Sequence, residues 1–162
     1  MGTYTGIRFK GYIKPRFRKD FEKIALEGKW DESSDQLFRL FGRFHRASFI
    51  PLGALCYMPK EWETELKPSQ TISFEGYLYE KHHAATDGFE RSYDPKTGYW
   101  SFQCSLKNYQ NEIEAWFKIL PYFVEEIVHL EYYYEESSYS QLYTIKDDSL
   151  VMINNKYRKY CG

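Results

Sequence analysis

Adjacent histidines, His82 and His83, are the residues of this chain best suited to hold a metal ion or to transfer a proton. Glu80 and Asp87 flank them, beside or within a polar and turn-rich segment over residues 81–98. A pocket near that segment would make the protein an enzyme or a small-ligand binder. Neighbouring side chains on a strand point to opposite faces, however, so a solvent-exposed pair of histidines is the simpler interpretation.

The other motifs of metal and cofactor chemistry are not found in the sequence. There is no HExxH or CxxC for a metal, no glycine-rich lysine loop for phosphates and no GxGxxG for a dinucleotide. Cys56, Cys104 and Cys161 are odd in number and widely spaced, which is typical of free thiols in a reducing compartment. We therefore predict no metal and no cofactor, and we favour a protein without enzymatic activity.

Three arginines, Arg39, Arg43 and Arg46, are spaced so that they would share one side of a helix. Such a basic stripe could contact the phosphates of a nucleic acid. The chain as a whole has a pI of about 6.4, whereas a nucleic-acid-binding domain is typically basic. A solvated helix face is therefore the favoured interpretation, and nucleic acid is not the expected partner.

The C-terminal part of the chain is acidic and rich in tyrosine. Between residues 108 and 148 there are nine acidic residues and two lysines, whereas residues 1–50 carry eleven Lys or Arg against six Asp or Glu. Carboxylates and phenol rings on one exposed surface would suit a protein partner with a basic surface. An edge hairpin kept soluble by its charges is the alternative. The residues assigned to this predicted surface are Glu131, Tyr133, Glu135, Glu136 and Tyr139.

Length and composition predict a single globular domain. The chain has 162 residues, of which 43% are hydrophobic and 28% charged, so it can fold without a metal or a disulfide. No window approaches the roughly 18 apolar residues of a membrane span, and the first residues contain no apolar leader segment. We expect a cytoplasmic protein without membrane contact, and the sequence leaves its oligomeric state open.

The elements that must position these residues are clearest between Tyr99 and Tyr143. Apolar residues first alternate with polar ones, which predicts a strand with one apolar and one wet face. The period then changes to that of a helix, with Asn108 as its cap and Pro121 as its end. A second strand with period two follows over residues 129–135. The apolar residues of the first strand and of the helix are Trp100, Phe102, Cys104, Leu106, Ile113, Trp116, Phe117 and Leu120.

The remaining segments predict the same class of fold. Ile7, Phe9 and Ile13 indicate a first strand whose outer face is basic, and Gly28 is placed to end the helix after it. Ser33, Ser34 and Asp35 offer caps for a second helix. That helix has a broad apolar face formed by Leu37, Phe38, Leu40, Phe41 and Phe44.

From Ala47 to Gln70 the pattern weakens, and Trp62 is expected to anchor this segment to the core. Thr71–Tyr79 predicts one strand, and residues 141–145 and 150–153 complete an antiparallel meander. The whole pattern predicts an α+β fold, with a mainly antiparallel sheet and about three helices packed on one face.

The segment WSFQCSLKNYQNEIEAWFKILP resembles uncharacterised small proteins of bacteria and their phages in its W-x-F-x-x-S-L-K-N-Y-x-x-E-I spacing. The resemblance covers roughly the C-terminal third of the chain. It implies a prokaryotic or phage setting, in which small single-domain proteins commonly act as inhibitors, immunity proteins or accessory factors. The sequence therefore favours a non-enzymatic protein-binding module of the inhibitor, immunity or anti-defence type.

Overall fold

The computed structural model of the chain describes residues 3–62, 66–74, 77–84 and 88–160, with 66–74 and 77–84 described as strand backbone only. Six strands form one antiparallel sheet. They are β1 Thr5–Ile13, β4 Ser92–Tyr93, β5 Tyr99–Leu106, β6 Val124–Tyr134, β7 Gln141–Lys146 and β8 Ser149–Asn154. Across the sheet their order is β4, β5, β1, β6, β7, β8. Two more strands, β2 Leu66–Phe74 and β3 Tyr77–Ala84, pair with each other as a separate hairpin.

The described residues contain four α-helices, which pack on one face of the sheet. They are α1 Glu22–Glu27, α2 Gln36–Phe41, α3 Phe49–Leu52 and α4 Glu112–Phe123. Their inward side chains share one core with the strands. The ring of Phe9, on the central strand β1, lies 5.3 Å from the Trp100 ring and 5.7 Å from the Trp116 ring. The predicted α+β fold with a mainly antiparallel sheet is confirmed.

The predicted strand, helix and strand between Tyr99 and Tyr143 are present as β5, α4 and β6. The inward residues of α4 are fully buried, as their helical spacing predicts: Ile113, Trp116 and Leu120. The prediction that Pro121 ends the helix is wrong. The helix continues to Phe123, because the N–H of Val124 donates to the carbonyl of Leu120 and closes the last turn around the proline.

Side-chain caps and a glycine set the helix ends. The carboxylate of Asp35 caps α2 by accepting the N–H groups of Leu37 and Phe38 at 2.9 and 3.2 Å. Gly28 ends α1 in the left-handed conformation, with φ of 64°, as predicted. The prediction that Asn108 is the cap residue of α4 is wrong, because Asn111 holds that position, but Asn108 still contributes to this helix end since its Oδ1 atom accepts the Ile113 N–H at 2.9 Å.

Two predictions for the middle of the chain are wrong. Thr71–Tyr79 is not one strand, because β2 and β3 divide it between the two arms of a hairpin. Residues 81–98 are not one continuous loop, because β3 extends to Ala84 and β4 pairs with β5. The C-terminal meander of β6, β7 and β8 is confirmed, and Asp147 and Asp148 form its second turn with φ of 51° and 59°.

The face of the sheet opposite the helices is covered in part, over β1 and β6, contrary to the expectation of a wet surface. Met58 and Trp62 lie over this face with Tyr133 and form a second, smaller core. Trp62 is fully buried and anchors its segment as predicted, although to this second core and not to the main one. A Cβ atom at Gly6 would come within 2.7 Å of the Trp62 ring, so glycine is required there for the layer to approach the sheet.

Candidate functional site

A polar cluster is buried between the sheet and this second layer. Strand β1 lies between β5 and β6, and its register places Arg8 opposite Gln103 on one side and Glu131 on the other. Arg8 is fully buried, so the prediction of a basic outer face is wrong at this position. Its Nε donates to Gln103 at 3.1 Å, and one terminal nitrogen donates to the carbonyl of Glu61 at 2.6 Å. These contacts satisfy a charge that would be costly to bury alone.

Aromatic rings cover the Arg8 guanidinium on this side. Its central carbon lies 5.0 Å from the Trp62 ring centroid and 4.7 Å from the Phe89 ring centroid. An arginine held against two rings gains cation–π attraction while its nitrogens keep their hydrogen bonds. Arg8 is therefore part of the packing between the sheet and the second layer.

Glu131 is the acidic member of the cluster and is also fully buried. Its carboxylate lies 3.0 Å from His129 Nε2 and accepts the hydroxyl of Tyr160 at 2.6 Å. Burial raises the pKa of Glu131, but hydrogen bonds, first those with His129 and Tyr160, together with the charge of Arg158 outweigh burial and lower this pKa below its usual value. Burial, followed by the bond to this carboxylate, raises the pKa of Tyr160 to about 12. The pair therefore holds an ionised Glu131 and a neutral phenol.

The prediction that acidic and tyrosine side chains of the C-terminal strands form one exposed docking surface is wrong. Glu131 and Tyr133 are buried under the second layer, because the face that alternation assigned to solvent is covered. Glu135 is half-buried and accepts the Tyr4 N–H at 2.7 Å. Only Glu136 of this set is exposed, while half-buried Tyr139 lies under the ammonium of Lys156. The five residues do not form one exposed patch.

The predicted arginine stripe does not form one helix face either. Helix α2 ends at Phe41, so Arg43 and Arg46 lie in the turns that follow. Arg39 donates to the carbonyls of Ser33 and Ser34, and Arg46 lies over the ring of Tyr109. These contacts support local structure, and the three arginines do not lie on one helix.

The predicted loop site around the two histidines stays a prediction. Glu80, His82 and His83 belong to strand β3, where they are paired with Thr71, Pro68 and Lys67, and their side chains lie outside the described residues. Asp87 lies outside the described residues altogether. In the part of the chain that is described, no three His, Cys, Asp or Glu side chains are grouped as a metal site requires.

An open apolar groove lies between α2 and α4, on the outer side of the helical layer. Its volume is about 630 Å³. Leu37 and Leu40 of α2 are 37% and 42% exposed along it, while Ala115 and Ile119 of α4 form the facing wall. The remaining lining residues are Phe41, Phe44, Gln110, Asn111, Glu114 and Lys118.

The broad apolar face of α2 produces this groove. Phe38 and Phe41 enter the core, and the two leucines beside them remain outside it. One helix face can bury only a limited stripe, so the extra apolar positions become a surface. The excess of apolar residues was visible in the sequence, but α4 as the opposite wall was not.

Hydrogen bonds fix both ends of the groove. At one end the hydroxyl of Tyr122, in the last turn of α4, donates to the Asp35 cap of α2 at 2.7 Å. At the other end Gln110, just before α4, accepts the backbone N–H of His45, just after α2, at 3.0 Å. The helices are thus tied in antiparallel orientation, and these bonds hold the two walls of the groove in place.

Comparison with known proteins adds no further assignment. No protein-family model, curated protein or solved structure matches this chain. None of the helices in the described ranges combines the length and the apolar character needed to cross a bilayer.

Proposed function

We propose that this chain is a non-enzymatic protein-binding module, and that the groove between α2 and α4 receives an amphipathic helix of its partner. The observation that carries the proposal is the apolar groove between two tied helices, with two exposed leucines along it. Two helices that border an apolar groove provide the surface used in helix-in-groove recognition. A contiguous apolar surface of this kind on a soluble domain commonly marks an interaction site.

The chemistry of the lining supports binding over catalysis. The groove is lined mainly by aliphatic and aromatic carbon, with two amides, one carboxylate and one ammonium at its edge. The carboxylate, Glu114, is already held by Asn108 Nδ2, which lies 2.8 Å from both of its oxygens. Neither a hydroxyl, a thiol nor an imidazole is among the lining groups that the structure describes. Such a lining offers apolar contact and orientation by charge.

The partner helix should match this lining. Its apolar residues should recur at positions i, i+3, i+4 and i+7, so that one stripe enters the groove. Lys118 and Glu114 stand one helical turn apart on the rim, which favours a helix with an acidic and a basic residue at similar spacing. An inhibitor, immunity or anti-defence role, which the sequence resemblance implies, would suit such a module.

A peptide-display selection with a library of helical peptides tests this function. We expect enriched peptides to share the apolar pattern given above. Leu37→Glu should weaken their binding at least about tenfold, because it places a charge in the centre of an apolar contact. Leu52→Glu is the matched control, since Leu52 is equally exposed, at 37%, but lies on α3 outside the groove.

Several outcomes would contradict the proposal. One is the absence of any enriched helical pattern, and another is equal loss of binding in the two glutamate variants. Binding of small apolar dyes that Leu37→Glu abolishes, without any selected peptide, would indicate a small-ligand pocket instead. Both variants should retain the thermal unfolding midpoint of the original protein to within a few degrees, because surface substitutions change stability little.

A further inference from the structure

A second groove lies on the other side of α4, between this helix and the end of the sheet. Its volume is about 470 Å³. Phe117 and Pro121 of α4 form one wall, and Tyr143 of β7 and Leu150 of β8 form the other. The ring centroids of Phe117 and Tyr143 are 4.9 Å apart, so the two walls contact each other there.

The two grooves share two lining residues. Glu114 and Lys118 lie on the outer ridge of α4 and border both of them. Helix α4 is therefore a ridge with an apolar depression on each side. A partner that covers one groove necessarily meets the edge of the other.

We infer that the partner presents two packed helices that straddle α4, with one helix in each groove. This inference rests on the proposed function and extends it to a second contact. An α-helix with its side chains is about 10 Å across, so grooves on its two sides are separated by about that distance. Packed helices lie about 8 to 10 Å apart, which matches this spacing.

The size of the first groove also favours a two-helix partner. Helix α2 has six residues and is only about 9 Å long, so it borders a short contact. A stable interface covers roughly 800 Å² on each partner. Contact on both sides of α4 makes the covered surface larger than the first groove alone allows.

The charges distinguish the two grooves. The second groove is lined by Glu114 and exposed Asp148 against the single ammonium of Lys118. The helix in the second groove should therefore carry Lys or Arg. The first groove contains one charge of each sign and is more apolar, so its helix should be the more apolar of the two.

Selection from a library of two-helix miniproteins on the full chain tests this inference. We expect the selected miniproteins to bind at least about tenfold more tightly than the single-helix peptides, because the second helix adds contact. Ser149→Arg, which adds bulk and positive charge to the second groove, should reduce miniprotein affinity about tenfold and leave single-helix binding unchanged. Ser138→Arg is the control, because Ser138 is exposed in the turn between β6 and β7, outside both grooves.

The outcomes separate this inference from the function on which it rests. Miniproteins that respond to Leu37→Glu but not to Ser149→Arg would show binding to the first groove alone and overturn the two-groove contact. Binders insensitive to Leu37→Glu would instead overturn the proposed function itself. An equal effect of the two arginine variants would indicate a general charge effect and would also overturn the inference. Unchanged thermal unfolding midpoints show that the arginine variants are folded.

Discussion

The two faces of the sheet are covered in different ways. On the helical face the contacts are mainly apolar, with Glu112 as the one charged side chain that is fully buried among the described residues of its helices, and the helices leave leucines exposed along the groove between α2 and α4. On the opposite face the charged residues Arg8 and Glu131 are fully buried and hydrogen-bonded to their neighbours. Some charged side chains of this protein are therefore buried, and some of its aliphatic side chains are exposed. The groove is open to a partner, whereas the polar cluster supports the fold.

The largest effect should come from truncating a ring on the helical face. Phe102 is fully buried and lies 5.6 Å from the Phe9 ring, 4.6 Å from Trp100 and 5.8 Å from Trp116. We expect Phe102→Ala to reduce the free energy of unfolding by about 3 to 5 kcal/mol, because the surrounding rings cannot collapse into the space. Urea unfolding followed by tryptophan fluorescence measures this change.

The matched control for that ring lies in the groove. Leu40→Ala removes an apolar side chain that is 42% exposed, so its cost should remain below about 1 kcal/mol. If Leu40→Ala cost as much as Phe102→Ala, the groove would be part of the core, and its role as an open binding surface would be contradicted.

An intermediate effect is expected from removing the buried carboxylate. Glu131→Leu leaves the donors of His129 and Tyr160 without their acceptor and removes a negative charge opposite Arg8 in the sheet register. We expect a loss of about 2 to 4 kcal/mol in the free energy of unfolding, measured by urea titration at neutral pH. Glu136→Leu, at an exposed position in the next turn, should change it by less than about 0.5 kcal/mol. Equal effects at the two positions would mean that Glu131 is solvated and the second layer is open.

The contrast between the faces also explains what the sequence could predict. The spacing of apolar residues changes between Trp100 and Leu120, and it predicts the strand and the helix of the core correctly. Each spacing places its apolar residues on one side of only one kind of element. The same alternation assigned Glu131 and Tyr133 to solvent, since alternation identifies two faces but does not show whether a distant segment covers the second. Trp62 and Tyr160, which cover that face, are far from β6 in sequence.

The candidate site was predictable only in part, for a similar reason. The broad apolar face from Leu37 to Phe44 was visible in the sequence, but the pattern did not show which of its residues stay outside the core. Its partner wall on α4 depends on the contacts of Asp35 with Tyr122 and of His45 with Gln110. Pairs separated by so much sequence leave no periodic pattern in a single chain.

The smallest of these effects should come from removing one hydroxyl group from the polar cluster, which leaves the buried ring and the charged residues in place. Tyr160 donates to Glu131 at 2.6 Å and accepts the Trp62 indole N–H at 3.0 Å. Tyr160→Phe removes both bonds and keeps the ring, so the free energy of unfolding at neutral pH should fall by about 1 to 2 kcal/mol. Tyr57→Phe, with a residue that is 76% exposed, should leave it unchanged.

The same substitution has a pH signature with a definite sign. The pKa of Tyr160 is raised from 10.0 to about 12, so the unfolded chain loses this proton at a lower pH than the folded protein. The stabilisation is complete below pH 10 and is lost as the pH rises toward about 12, where the folded phenol ionises as well. Urea titrations across this range should show a shallower decline for Tyr160→Phe than for the original protein. Parallel curves would mean that this phenol ionises alike in both states, and that the second layer does not bury it against Glu131.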